Sequence, residues 1–166
     1  MSTLAPEPSL DDTDWRILVE LQTNARITFT ELGRRVALTP PAVAERVRRL
    51  EESGVITAFR SELDPASVGY PITAFVRWTA AGPDCAYLGE VAKGFEEIVE
   101  CHRITGEASY ILKVVARSVQ HLEELIDRLM PHGSTITSVV LSSPVINRAL
   151  GPPVDVQPSE VRELGA

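Results

Sequence analysis

Cysteine, long apolar runs and positive charge are all scarce in this chain, and each shortage removes a class of protein. Cys85 and Cys101 have neither the density of a disulfide scaffold nor the spacing of a metal site, so both read as small buried residues in a reducing compartment. No apolar run approaches the ~20 residues that a membrane-spanning helix needs. The opening string MSTLAPEPSL lacks the basic and apolar regions of a secretion signal, which sets the expectation of a cytoplasmic protein without a membrane partner. Sixteen basic residues against 23 acidic ones give a net charge of −7, and an acidic chain repels DNA at long range. Catalytic signatures are missing too. His102, His121 and His132 show no paired spacing, and no nucleophile elbow or phosphate-binding glycine loop appears. Neither catalytic residues nor a metal or other cofactor is expected, and no internal repeat is evident.

Against that background one segment stands out, TFTELGRRVALTPPAVAERVRRLEESGVI from Thr28 to Ile56. Thr28 and Glu31 have capping-box spacing, so a helix should begin at Phe29 with Leu32 and Val36 on its inner face. Leu38 and Thr39 break the pattern. Thr39 before Pro40 reads as an N-cap with proline at the first helical position, where its missing N–H costs nothing. The second helix then buries Val43, Val47 and Leu50, and Gly54 stops it. At about 100° per residue the opposite face carries Pro41, Glu45, Arg48 and Glu52, flanked by Ala44 and Arg49. An earlier helix, capped by Asp11 or Asp12 and carrying Ile17, Leu18 and Leu21, ends at Asn24-Ala25-Arg26 and supplies the third helix that a helix-turn-helix needs. Residues 24–50 hold six arginines and two glutamates, a local surplus of four positive charges within an acidic chain. Binding to DNA would come from that patch and weaken with salt as counterions are released. The alternative is a solvated face, in which Glu45–Arg49 and Arg48–Glu52 are i,i+4 ion pairs.

From Pro71 the period shifts toward that of strands. ITAFVRW at 72–78, a helical stretch near 84–95, IVECHRIT at 98–105, YILKVVA at 110–116, a helix over 119–130 and ITSVVLS at 136–142 give the order β-α-β-β-α-β. That is the ferredoxin-like arrangement, four antiparallel strands with both helices on one face. Apolar groups on both sides of the strand Ile72–Trp78 leave the other face needing a cover, most simply a second subunit. The expected class is α+β: a winged-type helix-turn-helix domain at 10–60, a linking strand and turn at 61–70, and a ferredoxin-like regulatory domain at 71–143. Residues 1–9 read as a mobile N-terminus, and 144–166 as a proline-containing tail that either runs along a neighbouring subunit or is disordered.

The string Asp11-Asp12-Thr13-Asp14, Ile17-Leu18, Leu21-Gln22, Asn24-Ala25-Arg26, Leu32, Val36, Leu38-Thr39, Arg46-Val47, Arg49-Leu50-Glu51, Gly54 and Ile56 carries a resemblance. So do Asp64-Pro65, Gly69 and Thr105-Gly106-Glu107 further on. From Leu10 to about Val145 the chain resembles the Lrp/AsnC, or feast/famine, family of bacterial and archaeal transcription regulators. The resemblance implies homodimers that join further, often to octamers, and a small effector, usually an amino acid, bound between the sheet domains of neighbouring subunits.

Candidate sites follow. Pro41, Ala44, Glu45 and Arg48 are placed to read base edges of double-stranded, near-palindromic DNA, while Arg26, Thr28, Arg34, Arg35, Thr39 and Arg49 would meet the backbone. Thr105, Gly106 and Glu107 form a turn whose backbone N–H groups suit a carboxylate, with Thr135 and Thr137 offering hydroxyls beside it. Family members that place an aspartate three residues after the glycine use it to hold the ligand. Ser109 stands there instead, so either the ligand differs or Glu107 takes the role. The plain alternative is an ordinary hairpin with β-branched strand formers. Two other readings share this architecture: a tetrapyrrole-binding decarboxylase, for which His102 would be the candidate, and an amino-acid sensor that does not bind DNA.

Overall fold

The computed structural model describes residues 9–82 and 86–153 and divides the chain into two compact units. One unit holds the chain up to Ser61 together with the segment from Val145 onward, and the other is Glu62–Pro144.

The first unit contains α1 (Asp12–Thr23), α2 (Phe29–Val36) and α3 (Pro40–Glu52). Of the two candidate caps for α1, Asp11 is the one used. Its Oδ1 accepts from the Asp14 N–H at 2.8 Å, and the Asp14 carboxylate accepts from the Asp11 N–H at 3.2 Å, which completes a capping box. Thr28 accepts from the Glu31 N–H at 3.2 Å, but the Glu31 carboxylate turns to Arg34 and Arg35 at 2.7–2.9 Å. The expected box at α2 is therefore half formed, because two guanidiniums outbid one backbone N–H for the same charge.

Between α2 and α3 the chain turns at Ala37, a non-glycine residue in the left-handed region (φ 58°, ψ 43°), and the Leu38 N–H reaches the Gly33 carbonyl at 2.8 Å. The turn folds so closely over α2 that a Cβ on Gly33 would lie 2.5 Å from the Leu38 carbonyl oxygen. Ile17, Leu18, Leu21, Leu32, Val36, Val43, Val47 and Leu50 close the core beneath the three helices.

After α3 the expected strand within 61–70 is replaced by extended chain and one 3-10 turn, Ala66–Val68. A strand needs a partner ladder, and among the described residues this segment has none. Asp64 organises the turn by accepting from the N–H groups of Ala66 and Ser67.

The second unit holds β1 (Ile72–Ala80), α4 (Tyr87–Ala92), β2 (Ile98–Arg103), β3 (Tyr110–Ala116), α5 (Val119–Leu129) and β4 (Gly133–Val139). The strands are antiparallel in the order β2-β3-β1-β4, the ferredoxin-like topology. The helical stretch expected over 84–95 ends at Ala92, and the last strand starts three residues earlier than its apolar pattern indicates and stops at Val139. Ala74, Val76 and Trp78 alternate inward against Leu88 of α4 and Leu122, Leu125 and Leu129 of α5. Phe75 and Arg77 point to the other face. There Phe75 is 40% and Ile136 58% exposed, so the helix-free face carries apolar side chains in contact with solvent. Cys101 sits half-buried on β2, where burial pushes its thiol pKa up; Cys85 lies outside the described residues.

Candidate DNA-binding surface and effector loop

The outward face of α3 forms the candidate surface. Pro41, Glu45, Arg48 and Arg49 are exposed and Ala44 half-exposed, while Val43, Val47 and Leu50 are buried beneath them. Thr39 occupies the N-cap position, yet its hydroxyl makes no capping bond. Thr28 is the N-cap of α2, and Arg26 is exposed in the preceding loop, its backbone N–H held by Asn24 Oδ1 at 3.0 Å.

The local arginine surplus is smaller than a count along the sequence implies. Arg46 points inward and bonds Asp11 and Asp14, each at 2.7 Å. Arg35 bonds Glu20 at 2.7 Å as well as Glu31, and Arg34 holds Glu31 with two bonds. Arg48 is clamped from both sides, by Glu45 at 2.6 Å and by Glu52 one turn on. That clamp raises the Arg48 pKa, and Arg48 in turn lowers that of Glu45. Of the two anticipated ion pairs, Arg48–Glu52 forms. Arg49 instead lies 3.8 Å from Asp14. Glu20 and Asp14 come from α1 and Asp11 from its N-cap, which is why a count over 24–50 misses them.

In the second unit, Thr105, Gly106 and Glu107 lie exposed in the loop between β2 and β3, with Gly106 at φ +107°, a conformation that excludes most other residues. Ser109 anchors the loop to β1. Its N–H donates to the Trp78 carbonyl at 3.0 Å, its carbonyl accepts from the Ile104 N–H at 3.1 Å, and its Oγ accepts from the Ala80 N–H at 3.3 Å. Thr135 stands opposite Trp78 and Thr137 opposite Val76. Since β1 separates β3 from β4, the threonines are two strand spacings from the start of β3, roughly 10 Å. They share an end of the sheet with the loop without adjoining it. Level with Thr135 is a group that the sequence did not single out. The Trp78 indole is fully buried, its N–H has no hydrogen-bond partner among the described residues, and the His132 ring meets it edge-on at 6.3 Å.

Comparison with known proteins assigns both units. Residues 10–51 match the model of the AsnC-type helix-turn-helix domain, and residues 73–150 that of the Lrp/AsnC ligand binding domain. The chain belongs to the Lrp/AsnC family. It is 44% identical over 81% of its length, and 95% of the relative's, to the uncharacterized HTH-type transcriptional regulator YezC of Bacillus subtilis. Among solved structures, LrpC of B. subtilis matches with a TM-score of 0.78 at 35% identity, covering 82% of this chain and 97% of that one. The feast or famine regulatory protein Rv3291c of M. tuberculosis, complexed with L-methionine, matches with a TM-score of 0.83 at 33% identity, covering 87% and 100%.

An Lrp/AsnC chain with both domains is a DNA-binding transcriptional regulator with an effector-binding domain, and these relatives are regulators, not enzymes. The decarboxylase reading falls on that finding. His102 is exposed beside Glu100 on the helix-free face, His121 is tied to Glu97 at the start of α5, and His132 follows α5. Among the described residues no helix is long and apolar enough to cross a membrane.

Proposed function

We propose that the protein works as a homodimer that sets two α3 helices into successive major grooves of a near-palindromic operator, about 34 Å apart. The observation that carries this reading is the outward face of α3, with Pro41, Ala44, Glu45 and Arg48 over a fully buried inner stripe. Arginine donates twice to guanine, glutamate accepts from cytosine, and Ala44 packs on a thymine methyl. Arg26, Thr28, Arg34, Arg35, Thr39 and Arg49 position the sugar-phosphate backbone, and the Thr39 hydroxyl, which makes no capping bond, is available for a phosphate. The apolar helix-free face of the sheet, around Phe75 and Ile136, supports pairing of the second units, with assembly beyond the dimer built on that pairing. Functionally, residues 10–60 form the DNA-binding part and 71–143 the regulatory part, joined by 61–70. A regulator that acts on chromosomal DNA works in the cytoplasm, and this reading assigns the protein there.

The effector in this reading is an amino acid or a close metabolite, as the L-methionine complex of the M. tuberculosis relative suggests. Its carboxylate meets the backbone around Thr105 and Gly106, Glu107 faces its ammonium in place of the aspartate that Ser109 replaces, and Thr135 and Thr137 border the far side. The effector acts by binding one assembly more tightly than another. Fluorescence anisotropy on operator fragments selected from a random pool tests the first part. The Arg48→Ala/Arg49→Ala double variant should lose DNA while keeping its oligomer and ligand, and unchanged affinity would refute the assignment of α3. A thermal-shift screen of the twenty amino acids tests the second, with no stabilisation by any of them counting against the pocket.

A further inference from the structure

The chain crosses between its two units twice, and after β4 it returns to the DNA-binding unit. Gln22 helps to hold the return. On the exposed last turn of α1, its Nε2 donates to the Leu150 carbonyl at 3.0 Å and its Oε1 accepts from the Leu150 N–H at 2.8 Å. A primary amide that takes both polar groups of one residue imitates a neighbouring strand, so it fixes the course of the backbone whatever side chain that residue carries. Leu150 thereby borders an apolar groove of about 410 Å³ whose other walls include Trp15, Leu18, Leu21, Val55 and Phe59. That volume suits a few aliphatic side chains.

We propose that this groove is the seat of the chain's own C-terminal tail, with Val154 and Val156 as the residues that fill it. The sequence continues from Leu150 through Gly151-Pro152-Pro153 to Val154-Asp155-Val156. Paired prolines oppose a helix and favour extended chain, and where the chain beyond them runs in strand geometry, residues two apart point to the same side. Val154 is four residues beyond Leu150, within about 13 Å of it. Because Gln22 holds Leu150 at the rim, the tail is presented at a local concentration that a separate chain does not reach. This inference is independent of the operator and effector readings.

Trp15 in the groove wall reports on the occupant, while Trp78, buried in the other unit, contributes equally to every variant. The 166-residue chain is compared with one truncated after Pro153 and with its Val154→Asp/Val156→Asp variant, circular dichroism confirming the same helix content. Both variants should show red-shifted emission and stronger acrylamide quenching, and a peptide of residues 154–166 should reverse both changes in the truncated chain. Emission and quenching identical to the 166-residue chain in both variants would overturn the proposal. Cysteines introduced together at Ala58 and Val156 decide whose tail it is. On oxidation, a cross-link within one chain, absent from either single variant, supports the proposal. A cross-linked dimer, or none, overturns it in favour of a second copy or another ligand.

Discussion

Arg46 Nη1 lies 2.7 Å from Asp14 Oδ1 and 2.7 Å from Asp11 Oδ2, so one guanidinium from α3 ties down the first turn of α1. The Asp14 side chain is only 2% exposed, and Arg46 is its close partner. Removing one member of a buried pair leaves a charge without compensation, which costs more than the pair contributes. Arg46→Ala should therefore destabilise the DNA-binding unit by about 3 kcal/mol, measured by urea unfolding. Arg46→Met with Asp14→Leu should recover part of that loss. If Arg46→Ala unfolds like wild type, the contact is not structural.

Acid should weaken the same unit. Hydrogen bonds from Arg34 and then Arg35 hold the Glu31 pKa at about 2, against an ordinary value of 4.5. A depressed folded-state pKa means that the stabilisation is fully present above about pH 4.5 and is lost as pH falls toward 2. Thermal melts followed by circular dichroism should show the loss between those values, and Glu31→Gln should be less stable at pH 7 with a shallower decline in acid. An equally steep decline in Glu31→Gln would assign the effect to other carboxylates.

The Glu45–Arg48–Glu52 clamp must open before Arg48 can donate both ends to a guanine. Arg48→Ala should reduce discrimination between operator and mutated sites by about ten-fold or more. Glu52→Gln, which removes one holder without touching the proposed base-reading positions, should strengthen binding to all DNA and increase the number of cations released. Anisotropy titrations over a range of salt concentrations measure both. Weaker binding by Glu52→Gln would show that the clamp orients Arg48 productively.

The tight turn before α3 makes opposite demands on two small residues. Gly33→Ala places a methyl 2.5 Å from the Leu38 carbonyl oxygen, in contact with backbone that has no rotamer to change. It should cost roughly 1–3 kcal/mol, the scale of overpacking elsewhere. Ala37 is already in the left-handed region, so Ala37→Gly relieves strain and should be neutral or slightly stabilising. Calorimetric melting temperatures of the two variants should move apart.

Elements governed by neighbours in sequence were the ones legible in it. Thr28, Thr39-Pro40 and Gly54 marked the ends of α2 and α3, and the alternation of Ala74, Val76 and Trp78 showed which face of β1 is buried. What escaped depends on distance along the chain. Asp14 and Glu20 lie on α1 and neutralise arginines of α3 and α2, so a charge count confined to 24–50 overstated the patch. Thr135 and the Gly106 loop are not adjacent because the ferredoxin-like strand order puts β1 between β3 and β4, a consequence of the fold class that turn-by-turn spacing does not show. Ala37 gave no signal, since a left-handed alanine is disfavoured and is held only by the packing around it. The strand expected within 61–70 is absent for the same kind of reason, a ladder being a property of two segments.

The bond between Gln22 and Leu150 also bears on how this protein can be cut and rejoined. Its DNA-binding unit is assembled from both ends of the sequence, with the whole effector-binding sheet inserted between them. A chimera that transplants only residues 10–60 onto another regulator would carry a surface without its rim and an α1 amide without its peptide. A faithful transplant moves two pieces, and the junction to preserve at the far end is the one after Pro144.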